Sequence, residues 1–165
     1  MVDRMLAERL QPSLLDRLTD DFPDDVTEAG SHRVIDINRL REIIQRDLAW
    51  LLNTANIASD HDLAPYPNIA RSVINYGIPG LTGAVHTANR AAEIRQAIHE
   101  AIRNFEPRIL PEALEVSINH EKTSSGSVIA FDISGELWAE PLPIEIYLRT
   151  ALDVTTGQVT LNRQR

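Results

Sequence analysis

Apolar residues fall into two helical stripes, followed by a stretch in which they alternate with polar ones. The first stripe is Leu40, Ile43, Ile44, Leu48, Leu51 and Leu52, and it predicts a helix over 39–53 with Asn38 as its N-cap. Trp50 lies off its middle. Asp47 falls on the apolar side, where a carboxylate needs a neighbouring N–H or a basic partner such as Arg46 or Arg71. The second stripe, Ala91, Ile94, Ile98, Ala101, Ile102 and Phe105, predicts a helix over 88–105. Pro107 stops it, because its ring fixes φ and removes an N–H, and it pushes Glu106 out of the α region.

From Leu114 the period is two. Leu114, Val116 and Ile118 form one alternating run; Ile129, Phe131, Ile133 and Leu137 form a second. Ile144, Ile146 and Leu148 form a third that runs toward Val154, and Gln158 to Leu161 add a short last strand. Ser124-Ser125-Gly126-Ser127 and Thr155-Thr156-Gly157 read as turns. Helices first and strands afterwards give an α+β fold. Two main amphipathic helices pack on one face of a small, mainly antiparallel sheet of three to four strands. The last strand is an edge, and an edge offers unpaired N–H and C=O groups to a partner strand.

Two regions are less regular. Residues 1–33 read as an N-terminal docking arm and acidic linker, ahead of a single α+β domain over 34–165. Within the arm, Leu14, Leu15, Arg17 and Leu18 belong to a short amphipathic turn after Pro12, while Asp20, Asp21, Asp24, Asp25 and Glu28 crowd the linker. Residues 54–89 are punctuated by Pro65, Pro67, Gly77, Pro79, Gly80 and Gly83. There Val73, Ile74, Tyr76 and Ile78 are expected to plug the core while the backbone turns at Gly77. The glycines lack the Lys-Ser/Thr that a phosphate loop requires.

Charge and composition narrow the function. The net charge is −8, and a nucleic-acid backbone binder needs a basic face that the pattern does not offer. There is no cysteine, so thiolate and disulfide chemistry are excluded. Lys122 is the sole lysine among 16 basic residues, and an arginine-rich acidic surface suits specific protein contacts. No export signal or bilayer-spanning run is evident, so a cytoplasmic protein is expected.

Candidate chemistry is sparse. The histidines at 32, 61, 86, 99 and 120 lack zinc-motif spacing, and Asp60-His61-Asp62 reads as a solvated loop. No metal and no cofactor is expected. Glu106 is the one carboxylate under local constraint, but Arg108 beside it is the wrong neighbour for a general acid. The Glu106–Arg108 pair is either an ordinary surface pair, contributing about 0–1 kcal/mol, or a docking corner whose ordering Pro107 has already fixed.

Five stretches in order resemble a known family: Leu14-Leu15-Asp16-Arg17-Leu18; Arg46-Asp47-Leu48 through Leu51-Leu52-Asn53-Thr54; Ser72-Val73-Ile74-Asn75-Tyr76-Gly77-Ile78-Pro79; Phe105-Glu106-Pro107-Arg108; and the Asp153–Gly157 turn. The chain is similar over about residues 12 to 161 to the TssE family. These are small baseplate subunits of type VI secretion systems, similar to a wedge protein of contractile phage tails and once labelled lysozyme-like. Ala55, where a basic residue is expected, departs from the family pattern. The resemblance implies a structural part and not an enzyme, with a peptidoglycan-cleaving hydrolase as the alternative. It implies a cytoplasmic location in a baseplate docked at the inner membrane complex. It also implies that Glu106, Pro107 and Arg108 contact the core bundle of the wedge subunits TssF and TssG. Val154, Gln158, Val159, Thr160 and Leu161 would pair with the first sheath ring, built of TssB and TssC. The adaptor TssK and the VgrG spike hub are further expected partners.

Overall fold

The computed structural model describes residues 13–19, 23, 36–80, 88–119, 128–138 and 143–163. Residues 1–12, most of the acidic linker, the 124–127 turn, and His32, His86 and His120 lie outside the described residues.

Helix α1 (Leu14–Leu18) is followed by α2 (Ile37–Leu52), a 3-10 turn (Ile57–Ser59), α3 (Pro67–Ala70), a second 3-10 turn (Val73–Asn75) and α4 (Ala88–Phe105). Strands β1 (Glu115–Asn119), β2 (Val128–Leu137), β3 (Ile144–Asp153) and β4 (Val159–Arg163) come last. They form one antiparallel sheet in the order β1-β2-β3-β4. The architecture is α+β.

α2 begins one step earlier than its apolar stripe. Asp36, not Asn38, is the N-cap, its Oδ1 accepting from the Arg39 N–H at 2.7 Å. Asn38 therefore sits inside the first turn, and Ile37 extends the apolar face onto the core. The six residues of the stripe are the buried residues of α2. On α4, Ile94, Ile98, Ala101 and Ile102 are buried. Its last helical bond runs from Glu106 N–H to Ile102 C=O at 2.8 Å, and Pro107 prevents another turn.

Both helices cover the same sheet face, α4 over β1 and α2 over β4. That face carries Val116, Phe131, Ile133, Ile146, Leu148, Leu152, Val159 and Leu161, all buried. Each such side chain contributes about 1.5–3 kcal/mol. The other face is polar. There Asp132 accepts from Arg149 Nε at 2.9 Å and from Asn119 Nδ2 at 2.8 Å. Burial raises the Asp132 pKa, but the bonds from Arg149, Asn119 and Tyr147 outweigh it and hold the carboxyl below its ordinary value.

The 54–80 segment is fastened at its base by a short parallel bridge. Ile78 N–H donates to Thr54 C=O at 2.9 Å and Asn56 N–H donates to Ile78 C=O at 3.0 Å. Gly77 makes this possible with φ of +116°. Within the loop the Asn75 carboxamide accepts from Ala58 N–H at 3.0 Å and donates to Ala70 C=O at 2.9 Å. Ile78 enters the core as expected. Val73 and Ile74 do not: they stand 81% and 61% exposed. The cause is the 3-10 turn, which Ser72 caps by accepting from Ile74 N–H. It swings Asn75 inward, where a polar side chain can satisfy the loop backbone, and leaves the two branched residues at the tip.

Candidate functional site

The helix stop at Pro107 sits on a chain of alternating charges. Glu106 is 4% exposed, so it is not a water-facing charge. Its Oε1 accepts from Arg108 Nε at 2.5 Å and its Oε2 from Arg108 Nη2 at 2.5 Å; the Arg108 N–H adds a third bond at 3.3 Å. The same Nη2 reaches Asp47 Oδ2 at 2.6 Å. Asp47 Oδ1 accepts from Arg46 Nε and Nη2 at 2.9 and 2.7 Å, and Arg46 Nη1 reaches Asp16 Oδ1 at 2.6 Å. Ser13, the N-cap of α1, donates its hydroxyl to the other Asp16 oxygen.

The elements explain the placement. The α4 stop forces residues 106–108 into a turn against α2. Asp47 lies at the edge of the α2 stripe, facing that turn. Its basic partners are Arg46, as expected, and Arg108, which is 61 positions away; Arg71 does not take part. Tyr76, delivered by the Gly77 turn, sets its ring edge-on to Phe105, with centroids 5.4 Å apart. Burial, and then the charges of Asp47 and Glu106, raise its pKa. Four of the five sequence stretches thus meet in one cluster.

Burial works against the Arg108 charge, but Glu106 and Asp47 overcome it and raise its pKa above the ordinary arginine value. The forked, two-point contact with Glu106 fixes the guanidinium plane. What faces outward is Pro107, which is exposed, and part of Arg108, whose side chain is 29% exposed. Arg46 also lies over the exposed Trp50 ring, 5.0 Å from its centroid. On α1, Leu14, Leu15, Arg17 and Leu18 are all exposed, and the helix buries nothing. Asp16 is its anchor to α2.

That anchor has a pH limit. Burial raises the Asp16 pKa, but bonds from Arg46 and Ser13 more than offset this and leave it below the ordinary 3.8. A depressed folded pKa means the contribution is complete above about pH 4 and is lost as pH falls through the folded value. Backbone amides of residues 14–18, followed by NMR, are expected to hold their shifts from neutral pH down to about 4, then move together. Asp16→Asn should show the detached shifts at neutral pH.

The edge residues separate into two kinds. Val154, Val159 and Leu161 are buried, whereas Gln158 and Thr160 are exposed. The turn before β4 is closed by Gly157 N–H donating to Asp153 C=O at 2.7 Å, with Gly157 at φ of 74°. Val159 then turns its backbone away from β3. Its N–H donates to Asn53 Oδ1 at 2.9 Å, and its C=O accepts from Asn53 Nδ2 at 2.9 Å. Gln45 Nε2 donates to Leu161 C=O at 3.0 Å. Sequence reasoning took Asn53 only for a helix end and passed over Gln45. The four-residue spacing of Gln45, Ala49 and Asn53 was the available signal for a common helix flank.

Glu106 accepts from the Arg108 guanidinium at both oxygens, so both are engaged within the chain. Asp60, His61 and Asp62 are exposed, and among the described residues no group of three or more His, Cys, Asp or Glu is placed to hold a metal. Among the described residues, no helix is long and apolar enough to cross a membrane.

A family model described as baseplate wedge protein gp25 matches residues 38–142, more than half of the chain. The match takes in most of α2, the fastened loop, α4 with its charged corner, and the first two strands. No curated protein and no solved structure matches the chain.

Proposed function

The chain belongs to the family of baseplate wedge protein gp25, and on that premise we propose that it is the TssE-type subunit of a type VI secretion baseplate. It is a structural part that joins the wedge to the sheath and catalyses nothing. Glu106, Pro107 and Arg108 form the contact to the wedge subunits TssF and TssG. The β4 region, with Val154 and residues 158–161, pairs with the first sheath ring of TssB and TssC and helps to start its polymerisation. Leu14, Leu15, Arg17 and Leu18 supply a further docking surface. TssK and the VgrG hub are neighbours in the same cytoplasmic assembly, docked at the inner membrane complex.

The observation that carries this reading is the held Arg108. Glu106 and Asp47 fix its guanidinium from behind, while Pro107 and the remaining face of Arg108 stay open. Ordering is complete before a partner arrives, which removes a cost of roughly 0.5–1.5 kcal/mol per immobilised side chain from binding. A solvated pair would offer no such advantage.

The test changes only the exposed residue. Pro107→Glu should leave the melting temperature within a few degrees of the parent and abolish co-purification with TssF and TssG. Unchanged co-purification with a folded variant would remove the corner from the interface. Release of fragments from purified cell wall, lost in Glu106→Gln, would favour the hydrolase instead.

A further inference from the structure

Asn53 treats the edge of β4 as a neighbouring strand would. Its carboxamide presents one acceptor and one donor to a single residue, Val159, at 2.9 Å each. Those are the two bonds that a peptide backbone makes across an antiparallel pair. Two residues along the same edge, the Gln45 carboxamide satisfies the Leu161 carbonyl at 3.0 Å. Two residues is also the repeat at which an added strand would offer its own groups.

We propose that Asn53, with Gln45, holds the place of a partner's backbone, and that an extended polypeptide segment adds to β4 by displacing these two side chains. The proposal rests on the strand-pairing reading above and adds the residue that controls it. The geometry makes the exchange cheap. Asn53 is exposed, so its released carboxamide meets water. Its Nδ2 already has a second acceptor, Ala49 C=O at 2.8 Å, which keeps one bond on its own helix. Ala49, midway between Gln45 and Asn53 on that flank, is the smallest side chain available there. Two bonds to Val159 and one to Leu161 are lost, and backbone groups of the added segment replace them at the same positions, so the net change is small.

The closed state has its own use. An uncapped edge invites edge-to-edge pairing between copies of the same chain. A side-chain amide blocks that encounter without committing the edge for good. It yields to a segment that brings further contacts, such as apolar side chains beside Val159 and Leu161.

The test uses the full chain with purified TssB and TssC. Hydrogen exchange at the Val159 amide is measured alone and in the mixture, and association rates are measured in parallel. In the free protein, Asn53→Ala should speed exchange at Val159 about tenfold, since the N–H loses its acceptor. In the mixture both proteins should be protected at Val159, and Asn53→Ala should associate about fivefold to tenfold faster. Asn53→Asp keeps the acceptor for the N–H but sets an oxygen against the Val159 carbonyl. It should also associate faster, and it serves if the alanine variant folds poorly. Protection of Val159 in the mixture with no change in rate for either variant would overturn the displacement and leave strand pairing intact. No protection in any mixture would sink both. Concentration-dependent self-association of Asn53→Ala with unchanged sheath binding would make the occupant a second copy and overturn the proposal.

Discussion

Glu106→Ala is expected to lower the unfolding free energy by about 3–5 kcal/mol, with Arg108's partial exposure favouring the lower figure. The variant removes the carboxylate that takes three of the bonds at Arg108 and leaves a guanidinium held by Asp47 alone. A domain of this size has about 5–15 kcal/mol in total, so the loss is a large fraction of it. Urea denaturation should show a lower midpoint with little change in slope, because the surface exposed on unfolding is nearly the same. A midpoint within error of the parent would mean that the cluster contributes nothing to the fold. The same variant should lose wedge binding, but that loss would be ambiguous. Hence the exposed Pro107 is the better probe of the proposed interface, and Glu106 the better probe of its support.

The second large effect is expected at Gly77. A Cβ there would lie 2.2 Å from the Thr54 carbonyl oxygen and 2.8 Å from its carbon, both backbone atoms that cannot rotate aside. The φ of +116° adds strain for any other residue. Gly77→Ala should therefore break the Thr54–Ile78 bridge and cost about 4 kcal/mol or more. The damage should spread to the charged cluster, because the bridge positions the next residue back, Tyr76, against Phe105. Exchange rates of the Ile78 and Asn56 amides, whose bonds close the bridge, would report it directly. Protected amides at those positions in the alanine variant would show that the clash is relieved some other way.

Much of the fold was legible because its signals are periodic. The stripe from Leu40 to Leu52 named the buried residues of α2 one by one, and Pro107 marked the end of α4 to the residue. The strands announced themselves by alternation. What sequence could not supply were partnerships across distance. Glu106 and Arg108 are neighbours in the chain, and their pairing was foreseeable; Asp47, which joins them to α2, is not. Asp47 helps to hold Arg108 over Glu106, and Glu106 can leave water because that guanidinium meets its charge. Val73 and Ile74 misled for a different reason. Branched apolar residues beside a glycine turn read as core, but a three-residue 3-10 turn rotates them outward, and only Asn75's role inside the loop would have told. The capping of β4 was hidden because amide side chains are common on helix flanks, and nothing local says which of them meets a strand.

The cluster beneath Pro107 alternates in sign: Asp16, Arg46, Asp47, Arg108, Glu106. Alternating charges a few ångströms apart cancel rapidly with distance, well within the roughly 8 Å screening length of physiological salt. Three carboxylates against two guanidiniums leave a net charge of −1, so the corner casts only a weak and quickly screened field of its own. It does little to draw a neighbour from afar. On the proposed reading, recognition at this spot is decided on touch, by fit to a rigid guanidinium face; a dependence of the rate on ionic strength would come from the chain's net charge of −8 and not from the corner. For a part that must be built into a large machine in one orientation, such short sight favours correct seating over quick capture.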